Sequence, residues 1–133
     1  MSNQVSYMPV LKAGAIAGVA SAVINALIFF AAGALGFITD DIQMQPDTPM
    51  TLIPVIASSI MPSLFATVVY WLFLKHTKNG YKNFSVMAIV LLVLSFSNPF
   101  MMIPGVTIAY GVSLNLMHIV VVALLLNRFK AVS

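Results

Sequence analysis

The stretch from residue 83 to residue 127, NFSVMAIVLLVLSFSNPFMMIPGVTIAYGVSLNLMHIVVVALLLN, contains no Asp, Glu, Lys or Arg. A helix needs roughly 20 residues to cross a hydrocarbon core about 30 Å thick, so this stretch is long enough for two crossings. An ionised side chain at the centre of a bilayer costs at least about 2.5 to 3.5 kcal/mol, which favours the same interpretation. The Pro104-Gly105 pair predicts the turn between the two crossings.

Two further uncharged stretches, 13–39 and 48–74, each have room for one crossing. Of the 133 residues, 61% are hydrophobic and only 7% are charged, whereas soluble domains are about 25% charged. We therefore predict an all-α, polytopic membrane protein, a four-transmembrane-helix bundle that forms a single membrane domain over residues 1–133. The predicted spans are about 12–36, 50–74, 84–103 and 106–127.

The basic residues predict how the spans are oriented. With four spans, all six Lys and Arg residues lie on one side and the three Asp residues on the other, and Lys and Arg near span ends are retained in the cytoplasm. We therefore expect a multi-pass protein of the inner (plasma) membrane with both termini cytoplasmic. The net charge of +3 then belongs to a face for anionic lipid headgroups and not to a nucleic-acid site. The expected headgroup contacts are Lys75, Lys78, Lys82, Arg128 and Lys130.

The first span carries a stripe of small residues at every fourth position. The stripe consists of Gly14, Gly18, Ala22 and Ala26. Small side chains let two helix backbones approach closely inside a membrane. The stripe therefore predicts a close helix contact, either with another helix of the same bundle or with a second copy of the chain across a homodimer seam.

Two prolines predict departures from regular helix. Pro62 lies deep in the second span, where it cannot donate to the carbonyl of Ser58, so a kink is expected there. Pro99 disfavours helical geometry at Asn98 and frees the carbonyl of Ser95, so the third span should break or stop. Each proline fits two interpretations: a packing feature, or a functional one, namely a gating hinge at Pro62 and a discontinuous helix lining a binding site at Pro99.

Polar side chains from separate parts of the chain fall at overlapping depths in the membrane. Counting 1.5 Å per residue inward from Arg128 puts His118 about 15 Å deep, near the midplane. Asn115, three residues earlier, shares the same helix face. Because lipid offers these groups no hydrogen-bond partner, we predict that they meet in one buried cluster. Its predicted members are Asn25, Ser95, Asn98, Asn115 and His118.

His118 determines which chemistry this cluster could support, because an ionisable residue inside a membrane is a candidate functional residue. The alternative is structural: a neutral imidazole that bonds neighbouring amides and holds the bundle together. We predict no metal site, since cysteine is absent and the methionines show no ligand spacing. We predict no cofactor; the alternative is haem on His118, with a second axial histidine from another subunit. No catalytic constellation is recognisable, so the chain is predicted not to be an enzyme.

Several short motifs resemble a bacterial family of small four-helix membrane proteins that is known only as a domain of unknown function. The resemblance implies the same four-span fold, and it implies that Asn25, Pro99 and His118 are family features. It implies no activity. The motifs are Leu11-Lys12-Ala13-Gly14 with Asn25, the span ending at Ala34-Leu35-Gly36, the second span closing on Lys75, the segment from Ser95 to Pro99, and Met117-His118.

Two hypotheses about function follow from the sequence. The first is an oligomeric unit for proton-linked or small-solute permeation or transport that uses the polar cluster. The second is a non-catalytic accessory, assembly or immunity-type membrane protein that acts through helix–helix contacts of its small-residue stripe. The expected partners are therefore the lipid bilayer and either further copies of the chain or another membrane protein.

Overall fold

The computed structural model describes residues 6–39, 43–45, 48–49 and 51–132. Within these residues the helices are α1 (Tyr7–Ala34), α2 (Leu52–His76), α3 (Gly80–Ser95), α4 (Asn98–Met102) and α5 (Ile108–Lys130). Four helical segments are long and apolar enough to cross a membrane, α3 and α4 together forming the third. Because backbone groups in lipid must be bonded within the segment, such apolar stretches form helices. The four-helix membrane bundle predicted from the uncharged stretches is confirmed.

The segment between α1 and α2 contains two short strands, β1 (Gln43–Gln45) and β2 (Thr48–Pro49). They pair antiparallel, with Gln43 opposite Pro49 and Gln45 opposite Thr48. The three aspartates used to predict the orientation lie outside the described residues. Their separation from the basic residues therefore stays a prediction. The three aspartates are Asp40, Asp41 and Asp47.

The basic residues gather at one end of the bundle, which we call the basic end. Tyr7 near the start of α1 contacts Trp71 near the end of α2, with ring centroids 5.4 Å apart. The Tyr70 hydroxyl of α2 donates to the Phe129 carbonyl near the end of α5 at 2.9 Å. The start of α1 and the ends of α2 and α5 therefore lie together. The basic residues on or beside these helix ends are Lys12, Lys75, Lys78, Lys82, Arg128 and Lys130.

The small-residue stripe of α1 lies against α2 of the same chain. A methyl group added at Gly14 would overlap the Thr67 side chain, and one added at Gly18 would lie 3.1 Å from Ser63 Cβ. The hydroxyls of Ser63 and Thr67 donate to carbonyls one turn earlier in α2, each at 2.7 Å. Backbones can approach this closely because one helix has no side chain at the contact and the other has its hydroxyls satisfied. Ala22 is buried and Ala26 is half-buried on the same helix.

The two prolines have different consequences for the helices. α2 is helical from Leu52 to His76 with Pro62 inside it. The third span is interrupted: α3 ends at Ser95, and α4 begins with Asn98 and the buried Pro99. The connection from α4 to α5 then passes through Gly105 at φ +70°, a conformation that favours glycine. The helix of the third span is therefore interrupted near the end of the span that lies away from the basic end.

α3 is attached to the bundle near its two ends. At the basic end, Phe84 packs edge-on against Tyr70 and Phe129, with centroid distances of 5.1 and 5.4 Å. The Tyr81 hydroxyl also donates to the Leu126 carbonyl at 3.0 Å. Just beyond the other end, the Phe96 carbonyl accepts from Asn115 Nδ2 at 3.1 Å. Between these attachments the apolar faces of α2, α3 and α5 leave a groove.

Candidate functional site

His118 lies near the middle of α5, and its ring is anchored to the helix backbone. Nδ1 lies 2.8 Å from the Leu114 carbonyl oxygen. Because a carbonyl oxygen can only accept, Nδ1 carries the proton in this arrangement. In the neutral ring, Nε2 then keeps its lone pair. Nε2 has no hydrogen-bond partner within the described part of the chain.

A small pocket of about 130 Å³ lies between α1, α2 and α5. Most of its lining is apolar, and we call it the polar pocket for its four polar side chains, Asn25, Ser58, Ser59 and His118. Asn25 anchors one wall: its Nδ2 donates to Ser59 Oγ at 2.8 Å and to the Met117 carbonyl at 3.3 Å. Only 2% of Asn25 is exposed, and its Oδ1 has no hydrogen-bond partner in the structure. Ser58 and His118 also line this polar pocket. A buried amide oxygen without a partner is uncommon, since such groups usually bond to protein or ordered water.

A larger apolar groove of about 700 Å³ lies between α2, α3 and α5. Its walls are almost entirely hydrocarbon, for example Phe65 of α2 and Leu91 of α3. Its polar side chains are Ser58, Ser95 and His118, one from each helix. The groove is partly open on the surface of the bundle, so within a membrane it faces lipid. Ser58, Val121 and His118 line both cavities, so His118 forms part of the wall of each.

The five residues of the predicted cluster do not all meet. Asn25 and His118 share the polar pocket, and Ser95 and His118 share the apolar groove. Ser95 Oγ is itself bonded to the Leu92 carbonyl at 2.7 Å. Asn115 lines neither cavity and ties α5 to Phe96, as described above. Asn98 is exposed on α4 and also lines neither cavity.

Two residues of the site were not in the predicted cluster. Ser58 lines both cavities, and Ser59 accepts the bond from Asn25 while it donates to the Val55 carbonyl at 2.9 Å. A usable signal was present in the spacing of Ser59, Ser63 and Thr67, which repeats every four residues. The small-residue stripe of α1 has the same four-residue spacing, which indicates that the face of α2 with Ser59, Ser63 and Thr67 packs against it. Asn25 continues that face of α1, so its bond to Ser59 follows.

The imidazole at the site stands far from the other histidine of the chain. The sequence has two histidines, and His76 ends α2 at the basic end. Haem held by two histidines would therefore need the second ligand from another copy, as the sequence predicts. Groups of three or more His, Cys, Asp or Glu that could hold a metal ion are absent from the described residues.

The predicted headgroup contacts lie at the basic end, where Lys75 Nζ is 4.9 Å from the centroid of the Trp71 ring. An aromatic ring and a cation at one level are typical of the membrane–water interface. Arg128 donates from Nε and Nη2 to Asn127 Oδ1 at 3.3 and 3.2 Å. This end of the bundle therefore has the composition expected beside lipid headgroups.

The fold and the two cavities define a class: a small integral membrane protein, a four-helix bundle with one imidazole in the walls of both an apolar groove and a polar pocket. The model of the family described as "Family of unknown function (DUF6069)" matches residues 6–132, nearly the whole chain. The chain belongs to this family, and the resemblance noted in the sequence is confirmed. No curated protein and no solved structure matches the chain.

Proposed function

We propose that the protein is a small permeation or transport unit whose solute site is the pair of cavities that share His118 in their walls. The observation that carries the proposal is the position of His118 in the walls of both cavities. One cavity is open toward lipid, and the other presents an amide and hydroxyls. A solute that moves between them passes the imidazole.

The proton link rests on the ionisation chemistry of the lining. His118 is the only titratable side chain among the described residues that line either cavity. With its Nδ1 proton directed to the Leu114 carbonyl, a further proton binds at Nε2. Proton binding and solute binding are then expected to influence each other.

The oligomeric form of the unit is part of the proposal. The groove is partly open, and an open apolar wall in a membrane is covered either by lipid or by another helix. A second copy of the chain on this side would convert the groove into an enclosed path. Helix packing between copies would then use the apolar face of α3, since the stripe of α1 is already occupied by α2.

The proposed location is the inner (plasma) membrane, with both termini in the cytoplasm. Support comes from the gathering of all six Lys and Arg residues of the chain at the end where α1 begins and α5 ends. Basic residues beside span ends are retained on the cytoplasmic side.

The accessory, assembly or immunity-type function has less support. That hypothesis depended on the small-residue stripe, and Gly14 and Gly18 lie against Thr67 and Ser63 of the same chain. A partner helix would therefore have to dock on a different surface.

Proton entry into vesicles tests the proposal. Purified protein is reconstituted into liposomes that contain a pH-sensitive dye, and a potassium diffusion potential drives protons inward. Wild-type protein should acidify the lumen faster than protein-free vesicles, and His118→Gln should abolish the difference. His76→Gln is the matched control and should behave like the wild type, since His76 lies at the basic end. Wild-type vesicles that acidify no faster than empty ones would refute the proposal.

A further inference from the structure

We infer that the third span is a movable wall of the apolar groove, hinged at the basic end and held at its far end, the end away from the basic end, by a latch on α5. The latch consists of Asn115, which bonds the Phe96 carbonyl, and Gly111, which receives the ring of Phe100. The inference rests on the proposed function only in what the movement controls, namely access to His118. It adds a regulatory element, which follows from how α3 and α4 are attached to the bundle.

The third span is the least buried of the four. Only 11% of the residues in its most apolar 18-residue window are buried, against 22 to 39% in the other spans. A segment with few buried contacts opens at low cost, so the middle of this span is weakly held. The buried residues of α3 are Gly80 and Phe84, both at the basic end. The far half of α3 therefore depends on attachments beyond the helix itself.

The basic end provides the hinge. Phe84 packs there against the rings of Tyr70 and Phe129. Gly80 lies so close to α2 that a Cβ at this position would be 2.9 Å from the Phe73 carbonyl oxygen. Surfaces packed this closely lose many contacts when they separate. The start of α3 is thus fixed to α2 and α5, and movement of the span is a rotation about this end.

The far end of the span is attached at two neighbouring points of α5. Asn115 Nδ2 donates to the Phe96 carbonyl at 3.1 Å, and one turn earlier a Cβ at Gly111 would overlap the Phe100 ring. The ring therefore lies where only a glycine leaves room for it. Gly111, Asn115 and His118 follow one another at intervals of four and three residues, so they share one face of α5. The latch lies directly beyond the imidazole on this face.

The interruption of the helix allows the far end to move. α3 ends at Ser95, and Pro99 in α4 has no N–H to bond the Ser95 carbonyl, so regular helix bonding does not tie the two helices together. Ile103, directly after α4, is buried in the core, so the moving segment lies between Phe84 and Ile103. The latch itself is weak, because one interhelical hydrogen bond in a membrane changes an equilibrium by a factor of only about three.

Movement of the far end changes the width of the apolar groove. α3 lines the groove from Phe84 to Ser95, and Ser58 of α2 and His118 of α5 belong to the other walls. With the latch closed, residues 96–100 lie on α5 between His118 and the end of the bundle opposite the basic end. Release of the latch would move Ser95 away from His118 and open the groove toward that end. Asn115 and the Gly111 contact are then the elements that limit access to the imidazole from that side.

Distances between spin labels test the movement. The chain has no cysteine, so pairs of introduced cysteines at exposed positions can carry the labels. Leu94→Cys with Leu35→Cys reports the far end of α3 relative to α1, and Val86→Cys with Ile16→Cys reports the half near the basic end. Labelled full-length protein is mixed with excess unlabelled protein in nanodiscs, so that pulsed electron paramagnetic resonance records distances within one chain.

Two variants release the latch independently. Asn115→Leu removes the hydrogen bond and should raise the population with a displaced far end about threefold. Gly111→Ala displaces the Phe100 ring and should raise it at least about fivefold. Gly33→Ala is the matched control, since a Cβ at Gly33 meets nothing within 4 Å. The distance near the basic end should stay unchanged throughout. An unchanged far-end distance in either latch variant, or equal changes at both pairs of labels, would overturn the inference.

The distance measurement is independent of the proton-entry measurement. Displacement of the far end in the latch variants without proton entry by the wild type would refute the proposed permeation function and support the movable wall. Proton entry by the wild type with fixed far-end distances would refute the movable wall and support the proposed function. Where both hold, protons should enter about threefold faster through Asn115→Leu than through the wild type, and an equal rate would overturn the role of the latch in access to His118.

Discussion

The amide nitrogen of Asn25 lies 2.8 Å from the hydroxyl of Ser59 and 3.3 Å from the Met117 carbonyl. One side chain of α1 thus bonds to both α2 and α5, at the level of the imidazole on the next residue of α5. The same asparagine holds three helices together and forms a wall of the polar pocket. Asn25 therefore contributes both to the stability of the bundle and to the proposed solute site.

Replacing Asn25 by Leu should destabilise the bundle by about 1 kcal/mol. The substitution removes two interhelical hydrogen bonds, and such bonds in membrane proteins contribute about 0.6 kcal/mol each on average. The free energy of unfolding in mixed micelles is the measurement. Asn127→Leu is the control, because Asn127 accepts from its sequence neighbour Arg128 at the basic end. Equal stability of the Asn25 variant and the wild type would show that the bonds contribute nothing.

Adding a methyl group at Gly14 should destabilise the contact between α1 and α2. The new Cβ would overlap Thr67, and overpacking of this kind costs about 1 to 3 kcal/mol. Gly33→Ala is the matched control, since a Cβ at Gly33 meets nothing within 4 Å. The measurement is the unfolding free energy in the same micelles.

A second substitution tests whether the loss at Gly14 is steric. Thr67→Ala removes Oγ1 and Cγ2, two of the three Thr67 atoms that the new methyl group would meet, so the Gly14→Ala, Thr67→Ala pair should recover part of the loss. A double variant as unstable as the sum of the two single ones would contradict the close contact.

The helices of this fold could be predicted from the sequence because charge and length are local properties. The uncharged stretch at 83–127 has to hold two crossings, whatever packs against them. The close contact of α1 with another helix followed from Gly14 and Gly18. The choice between α2 of the same chain and a second copy did not, because small residues show only that something approaches.

The sequence predicts how deep each polar residue of the site lies in the membrane, but not which way its side chain points around the helix. Counting residues placed Asn25 and His118 at similar levels, and they do line one pocket. The same count placed Asn115 and Asn98 nearby, but Asn115 bonds to the Phe96 carbonyl and Asn98 is exposed. Direction around a helix depends on how the helices pack. The apolar groove has no sequence signature, since it is the space left where α3 stands away from α2 and α5.

Removing the hydroxyl of Tyr70 should loosen the basic end by about 1 kcal/mol. Tyr70 is fully buried, and its hydroxyl donates to the Phe129 carbonyl at 2.9 Å. Tyr70→Phe keeps the ring that stacks on Phe129 with centroids 4.3 Å apart, so the change isolates one hydrogen bond. Thermal unfolding in detergent is the measurement. Tyr7→Phe is the control, because Tyr7 meets Trp71 through its ring; an equal effect of the two variants would argue against the bond.

The proposed orientation predicts which introduced cysteines react from outside the cell. The chain has no cysteine, so single substitutions report one position each. Met101→Cys lies on α4, at the end opposite the basic end, and Met101 is 78% exposed. It should react with a membrane-impermeant maleimide in intact cells, whereas Lys78→Cys, between α2 and α3 at the basic end, should react only after permeabilisation. The reverse pattern would place the basic end outside and would contradict the cytoplasmic location of both termini.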